Sequence, residues 1–146
     1  MKRAVKVAVA IAGLLLVVAT FERTAFASWT IPDAGAICLR SGSSWACETV
    51  SGGIPCHWHP IGIFSDGSEV GTCDDVDGFG LIDPPSGSGS GSWTVPSGGT
   101  TCAPMPESPW VCDPISGPLP VGWLKVDTYS DGSELWVGTS GFALKR

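Results

Sequence analysis

Apolar and polar residues alternate most clearly on either side of two Asp-Gly pairs. Around Asp131-Gly132 the chain reads Leu124-Lys125-Val126-Asp127-Thr128-Tyr129 before the pair and Glu134-Leu135-Trp136-Val137 after it. Period-two alternation about Asp-Gly predicts a β-hairpin with a two-residue loop. With Asp131 and Gly132 in that loop, Ser130 faces Ser133, Tyr129 faces Glu134, Thr128 faces Leu135, Val126 faces Val137 and Leu124 faces Thr139. The face carrying Thr128, Val126 and Leu124 is the predicted core side, and Trp123, Lys125, Asp127 and Trp136 fall on the other. The same count around Asp66-Gly67 sets Ile63 against Val70 and Ile61 against Thr72 on the core side, then Pro60 against Cys73 and His59 against Asp74. A slip of one residue would turn Val126 and Val137 outward together.

The two hairpins belong to a longer repetition. Ser28-Trp29-Thr30-Ile31-Pro32 returns as Ser92-Trp93-Thr94-Val95-Pro96, and Ser65-Asp66-Gly67-Ser68-Glu69 returns as Ser130-Asp131-Gly132-Ser133-Glu134. Cys38 and Trp45-Ala46-Cys47 answer to Cys102 and Trp110-Val111-Cys112. A doubled unit predicts two small domains or one pseudo-symmetric pair. What both copies share points to fold, and what one copy alone carries points to function.

The remaining segments fit this organisation. Met1-Lys2-Arg3 and Lys6, the apolar run Val7 to Ala19 and the small-x-small pattern Ala25-Phe26-Ala27 read as an export signal over residues 1–27. The run is shorter than the roughly 20 residues a membrane span needs, and Glu22-Arg23 follow it. Module one is expected over 28–82 and module two over 92–146. Between them, 83–91 is a Gly/Ser/Pro linker. Removing the signal shifts the net charge from -6 to -9, which disfavours nucleic acid and anionic membrane as partners. A mature part rich in Gly, Pro, Ser and Trp suits short strands and turns, so the fold class is all-β.

Copies of about fifty residues barely offset their conformational entropy by burial, so staples are expected. Six cysteines, oxidised after export, supply them. The repeat predicts Cys38 with Cys47 and Cys102 with Cys112. Cys56 and Cys73 occur in copy one alone, where copy two has Val121 and a region near Ser140, so they are expected to bond to each other. A loop of that length contributes about 3 kcal/mol in the chain-entropy model.

Gly122-Trp123-Leu124-Lys125-Val126, the Gly-containing turn, Leu135-Trp136-Val137-Gly138 and Ser140-Gly141-Phe142-Ala143-Leu144 resemble the C-terminal half of bacterial SH3-like domains. Phe142 stands where that family often has Tyr. Copy one departs from the pattern at His57-Trp58-His59-Pro60 and at Val70-Gly71-Thr72, and the resemblance covers about half of each copy. It implies two small disulfide-stapled SH3-like β-barrel modules in tandem, commonly secreted, that bind cell-wall peptides or other partners without chemistry.

Seven tryptophans are the main candidates for contact with a ligand. Trp29/Trp93 and Trp45/Trp110, repeated beside cysteines, are expected in the core. Trp58, Trp123 and Trp136, with Lys125 and Tyr129, form the expected ligand-binding set, because exposed indoles stack on sugars and Pro-rich peptides. His57 and His59 share one strand face near Asp74, a weak zinc or copper pattern. Asp74-Asp75-Val76-Asp77-Gly78 lacks the spacing of a calcium loop and reads as a solvated acidic loop. No Gly-x-Ser-x-Gly elbow or phosphate-cradling loop is present, and Glu69 and Glu134 repeat beside the turns as structural cross-strand groups. The expectation is a secreted, extracellular or periplasmic binding protein without catalytic residues or cofactor. Its ligand would be a cell-wall glycopeptide, a polysaccharide or a protein. A hydrolase inhibitor using Met105-Pro106 at the tip of the Cys102–Cys112 loop and a metal-binding protein are the alternatives.

Overall fold

The structure, a computed structural model, describes residues 28–51, 53–82, 91–105 and 108–146. The expected signal and nearly all of the expected linker lie outside them. The described residues form an all-β protein. Copy one contributes β1 (Trp29–Thr30), β2 (Ala36–Ser41), β3 (Ser44–Thr49), β4 (Trp58–Ile63), β5 (Glu69–Cys73) and β6 (Gly78–Ile82). Copy two contributes β7 (Ser92–Thr94), β8 (Gly99–Met105), β9 (Ser108–Pro114), β10 (Leu124–Thr128), β11 (Glu134–Gly138) and β12 (Gly141–Lys145). They build two six-stranded antiparallel sheets, ordered β4-β5-β6-β2-β3-β7 and β10-β11-β12-β8-β9-β1. The same plan is used twice.

Each sheet ends on a strand from the other copy. Trp29 and Thr30 pair with Cys112 and Val111, and Trp93 and Thr94 pair with Cys47 and Ala46. The backbone N–H groups of Ile31 and Val95 continue the exchange to the carbonyls of Trp110 and Trp45 at 2.7 and 3.0 Å. The sequence expectation that each copy closes on itself is corrected here: the first strand of each copy completes the sheet of the other. One core serves both halves. Trp45, Phe79 and Tyr129 interlock with Phe142 and Trp110, the Phe79 and Phe142 rings meeting edge to face at 6.0 Å. Each buried indole removes about 200 Å² from water, an upper figure of about 5 kcal/mol. Sharing one core is how two undersized units reach a burial that neither has alone.

The three disulfides join Cys38 to Cys47, Cys56 to Cys73 and Cys102 to Cys112, the pairing expected from the repeat. The first and third tie directly paired residues of the β2–β3 and β8–β9 hairpins.

The hairpin register differs from expectation by one residue, identically in both copies. Tyr129 N–H bonds the Ser133 carbonyl and Gly132 N–H returns to Tyr129; Phe64, Ser68 and Gly67 do the same. The loop therefore has three residues, a turn followed by a left-handed glycine, Gly67 at φ 88° and Gly132 at φ 85°. Asp-Gly suits this turn as well as the two-residue one, because both place glycine at positive φ. Thr128 thus pairs with Glu134 and Ile63 with Glu69, and a bulge at Val126 and at Ile61 restores parity further along. Lys125 then meets Trp136, Leu124 meets Val137, and His59 meets Thr72 rather than Asp74.

The slip moves residues between faces. Ile63 and Leu124, expected in the core, are 75% and 70% exposed on the edge strands β4 and β10. Val126 and Thr128 are exposed as well. Leu135, Val70 and Thr72 are buried as expected, and Ile61 and Val137 pack partly against the core. Asp127, expected on the outer face, turns inward and meets Thr72.

Candidate aromatic binding faces

The five residues expected to bind ligand do not form one surface. Tyr129 is buried in the shared core, its ring 4.8 Å from Trp45. Trp123 is nearly buried and lies across Gly138, where an added Cβ would sit 2.3 Å from an indole carbon. Trp136 and Lys125 do share the outer face of the β10–β11 hairpin, both half-buried or exposed. Leu135 packs inward, so its neighbours Glu134 and Trp136 point out. Trp136 Nε1–H donates to Glu134 Oε2 at 3.0 Å, and Lys125 Nζ donates to Oε1 of the same carboxylate at 3.1 Å. The Lys125 ammonium first, then the indole N–H, hold the Glu134 carboxyl below the ordinary glutamate range.

Copy one reaches the same arrangement from a different strand. Glu69 corresponds to Glu134, and its Oε1 accepts the indole N–H of Trp58 at 2.7 Å. That indole comes from β4 rather than β5 and lies across Gly71, where an added Cβ would meet a ring carbon at 2.5 Å. The register aligns Gly71 with Trp136 and Cys73 with Gly138. The counterpart of Cys73 is therefore Gly138, not the region near Ser140. Copy one covers this end of its sheet with a disulfide and one indole, and copy two with two indoles. Glu69 and Glu134 were expected as structural cross-strand groups; both serve as anchors for half-buried indoles.

Trp45 and Trp110 are fully buried as expected, and Trp29 and Trp93 pack half-buried against the core from the exchanged strands. Each core indole is bonded across the two copies. Trp110 Nε1–H donates to Asp66 Oδ2 at 2.9 Å, and Trp45 Nε1–H donates to Asp131 Oδ2 at 3.2 Å. Sequence reasoning assigned Asp66 and Asp131 to the turns alone. The signal that could have found their second role is the repetition of five residues, Ser-Asp-Gly-Ser-Glu, where the loop itself has three.

The histidines and the acidic loop have other partners. His59 Nδ1 lies 3.7 Å from Asp74 Oδ2, and His57 engages Asp75 only through its backbone N–H, at 2.9 Å. Among the described residues no group of three or more His, Cys, Asp and Glu is placed to hold a metal ion. Asp77 pairs with Arg40 at 2.9 Å and also accepts from the Ser130 hydroxyl of copy two. The loop borders an acidic groove of about 470 Å³ that reaches Asp127 and Tyr129.

Comparison with protein-family models, with curated proteins and with solved structures finds no match.

Proposed function

We propose that the protein is a secreted, non-catalytic binding protein whose ligand stacks on the outer-face indoles Trp58 and Trp136. The observation that carries this reading is the indole–glutamate pair found in both halves. Glu69 and Glu134 each take the N–H of a half-buried tryptophan, although the two tryptophans come from different strands. A ring whose polar edge is already satisfied keeps its π-face for stacking and loses little freedom on binding. Flat sugar rings of a cell-wall glycopeptide or a polysaccharide are the ligands this suits, with Lys125 beside Trp136 for an acidic group. Two faces on halves that share one core would raise avidity for a repeating polymer. Three disulfides support an oxidising, extracellular or periplasmic location, and no described helix is long and apolar enough to cross a membrane. The SH3-like reading belongs to the same proposal. Its support is that the words Leu124-Lys125-Val126 and Leu135-Trp136-Val137 occupy adjacent strands of one hairpin.

The test is retention on purified cell wall and on immobilised glycans. Trp58→Ala with Trp136→Ala is expected to lose retention while still folding. Equal retention of wild type and double variant would defeat the reading. A second reading as a hydrolase inhibitor rests on Met105, 50% exposed at the end of β8, with Pro106 lying outside the described residues, and a protease panel without inhibition would remove it.

A further inference from the structure

The junction between the halves holds symmetric contacts and asymmetric ones. The symmetric set is Trp110–Asp66 with Trp45–Asp131, backed by Phe64 on Trp110 at 4.6 Å and Tyr129 on Trp45 at 4.8 Å. These contacts would form equally if half one met a second half one. The asymmetric set would not. Thr72 Oγ1 of half one donates to Asp127 Oδ2 of half two at 2.7 Å, and the Tyr129 hydroxyl of half two reaches Thr72 Oγ1 at 3.1 Å and the Gly78 carbonyl at 3.2 Å. On the other side of the pseudo-two-fold, the equivalent positions are Val137, Gly62 and Phe64. There an added Cβ at Gly62 would meet the Val137 side chain at 3.8 Å. One side of the junction is polar and bonded; the other is apolar and small.

We propose that Thr72, Asp127 and Tyr129 form a pairing address, through which half one recognises half two in preference to a second copy of itself. Two copies of half two would bring both Asp127 carboxylates against Val137 and leave both Tyr129 hydroxyls without Thr72. Two copies of half one would leave Thr72 its own Gly78 carbonyl, at 2.9 Å, but no partner across the junction. Tyr129 is buried, so its unpaired hydroxyl makes a pair of second halves costly; a pair of first halves only forgoes the cross-junction bonds, and the mixed pair makes them all. Asp77 of half one, which accepts from Ser130 of half two, adds to the same preference. All three disulfides lie within a half, so recognition between halves is non-covalent.

The test begins with the full chain carrying a protease recognition sequence inserted after Gly89. The folded protein is cut, unfolded in guanidinium without reductant, refolded, and read by native mass spectrometry. The mixed pair is expected to exceed either like pair by about tenfold or more. In the chain with Thr72→Val, Asp127→Gly and Tyr129→Phe, which gives both sides the apolar set, the species are expected to approach a statistical mixture. If that triple variant does not fold, Thr72→Val alone is read the same way. Halves that separate on cutting, a statistical mixture in the wild type, or an undiminished preference in the variant would each overturn the proposal.

Discussion

Trp110 and Asp66 lie 44 positions apart, in different halves of the chain, yet the buried indole N–H of one ends on the turn carboxylate of the other at 2.9 Å. The same carboxylate caps its own turn by accepting the Ser68 backbone N–H at 2.9 Å. Asp131 does both for Trp45 and Ser133. Each Asp-Gly turn is therefore a local hairpin device and a long-range anchor at once, and the hairpin of one half is held against the core of the other.

Removing Asp131 takes the acceptor from the buried Trp45 indole N–H, and removing Asp66 leaves the Trp110 N–H only Ser68 Oγ at 3.2 Å; each change also uncaps its own turn. Asp66→Ala and Asp131→Ala are each expected to destabilise the fold by about 1–3 kcal/mol. Urea unfolding followed by tryptophan fluorescence measures it. An effect below a few tenths of a kcal/mol would mean that the indoles do not depend on these bonds.

Acid should weaken the fold through the same pair. Burial alone would raise both carboxyls; the hydrogen bonds from Ser68 and Trp110, and from Ser133 and Trp45, outweigh it and hold them below 3.8. A pKa depressed in the folded state adds stability above the unfolded value, which is lost as pH falls through the folded one. Unfolding midpoints are expected to be flat above about pH 5 and to fall below about pH 4. Asp66→Asn with Asp131→Asn should start less stable and show a shallower acid limb. An unchanged limb would place the sensitivity elsewhere.

Gly71 and Gly138 are close-approach positions under tryptophan rings. An added Cβ would lie 2.5 Å from both Trp58 and the His59 carbonyl at the first, and 2.3 Å from Trp123 at the second. Gly71→Ala is expected to lift Trp58 off the sheet, which red-shifts its emission and abolishes retention on the copy-one face. Gly138→Ala should displace Trp123 and cost about 1–3 kcal/mol by overpacking, with less effect on binding. Emission spectra that match wild type in both variants would contradict this packing.

The disulfides make a separate prediction. Digestion without reduction should yield three cross-linked peptides, each from a single half. Cys56→Ser with Cys73→Ser is expected to cost about 3 kcal/mol and to leave the shared core formed. Any peptide that joins the two halves would contradict the fold described.

The readable part of this chain is the part governed by near neighbours. Alternation about Asp66-Gly67 and Asp131-Gly132 located both hairpins, and the repeat selected all three disulfides, because two cysteine pairs recur in both copies and the third pair is missing together from copy two. The exact turn was not readable, since Asp-Gly serves a two-residue and a three-residue loop alike. That single choice moved Leu124 and Ile63 to the surface and turned Asp127 inward. The candidate face was legible in part: Trp136 and Lys125 stand on the predicted side, while Tyr129 is in the core because the aromatic at the turn packs on the indole of the other half.

By itself, then, the sequence determined an all-β, doubled, sulfur-stapled chain with a hairpin at each Asp-Gly. Only the tertiary structure decided that Trp29 and Trp93 complete each other's sheets and that Asp66 and Asp131 reach across to Trp110 and Trp45. The reason is physical. Main-chain pairing carries no residue label, and two nearly identical copies present the same edges, so the choice between joining one's own sheet and the other's rests on the burial of a common core that no local window contains.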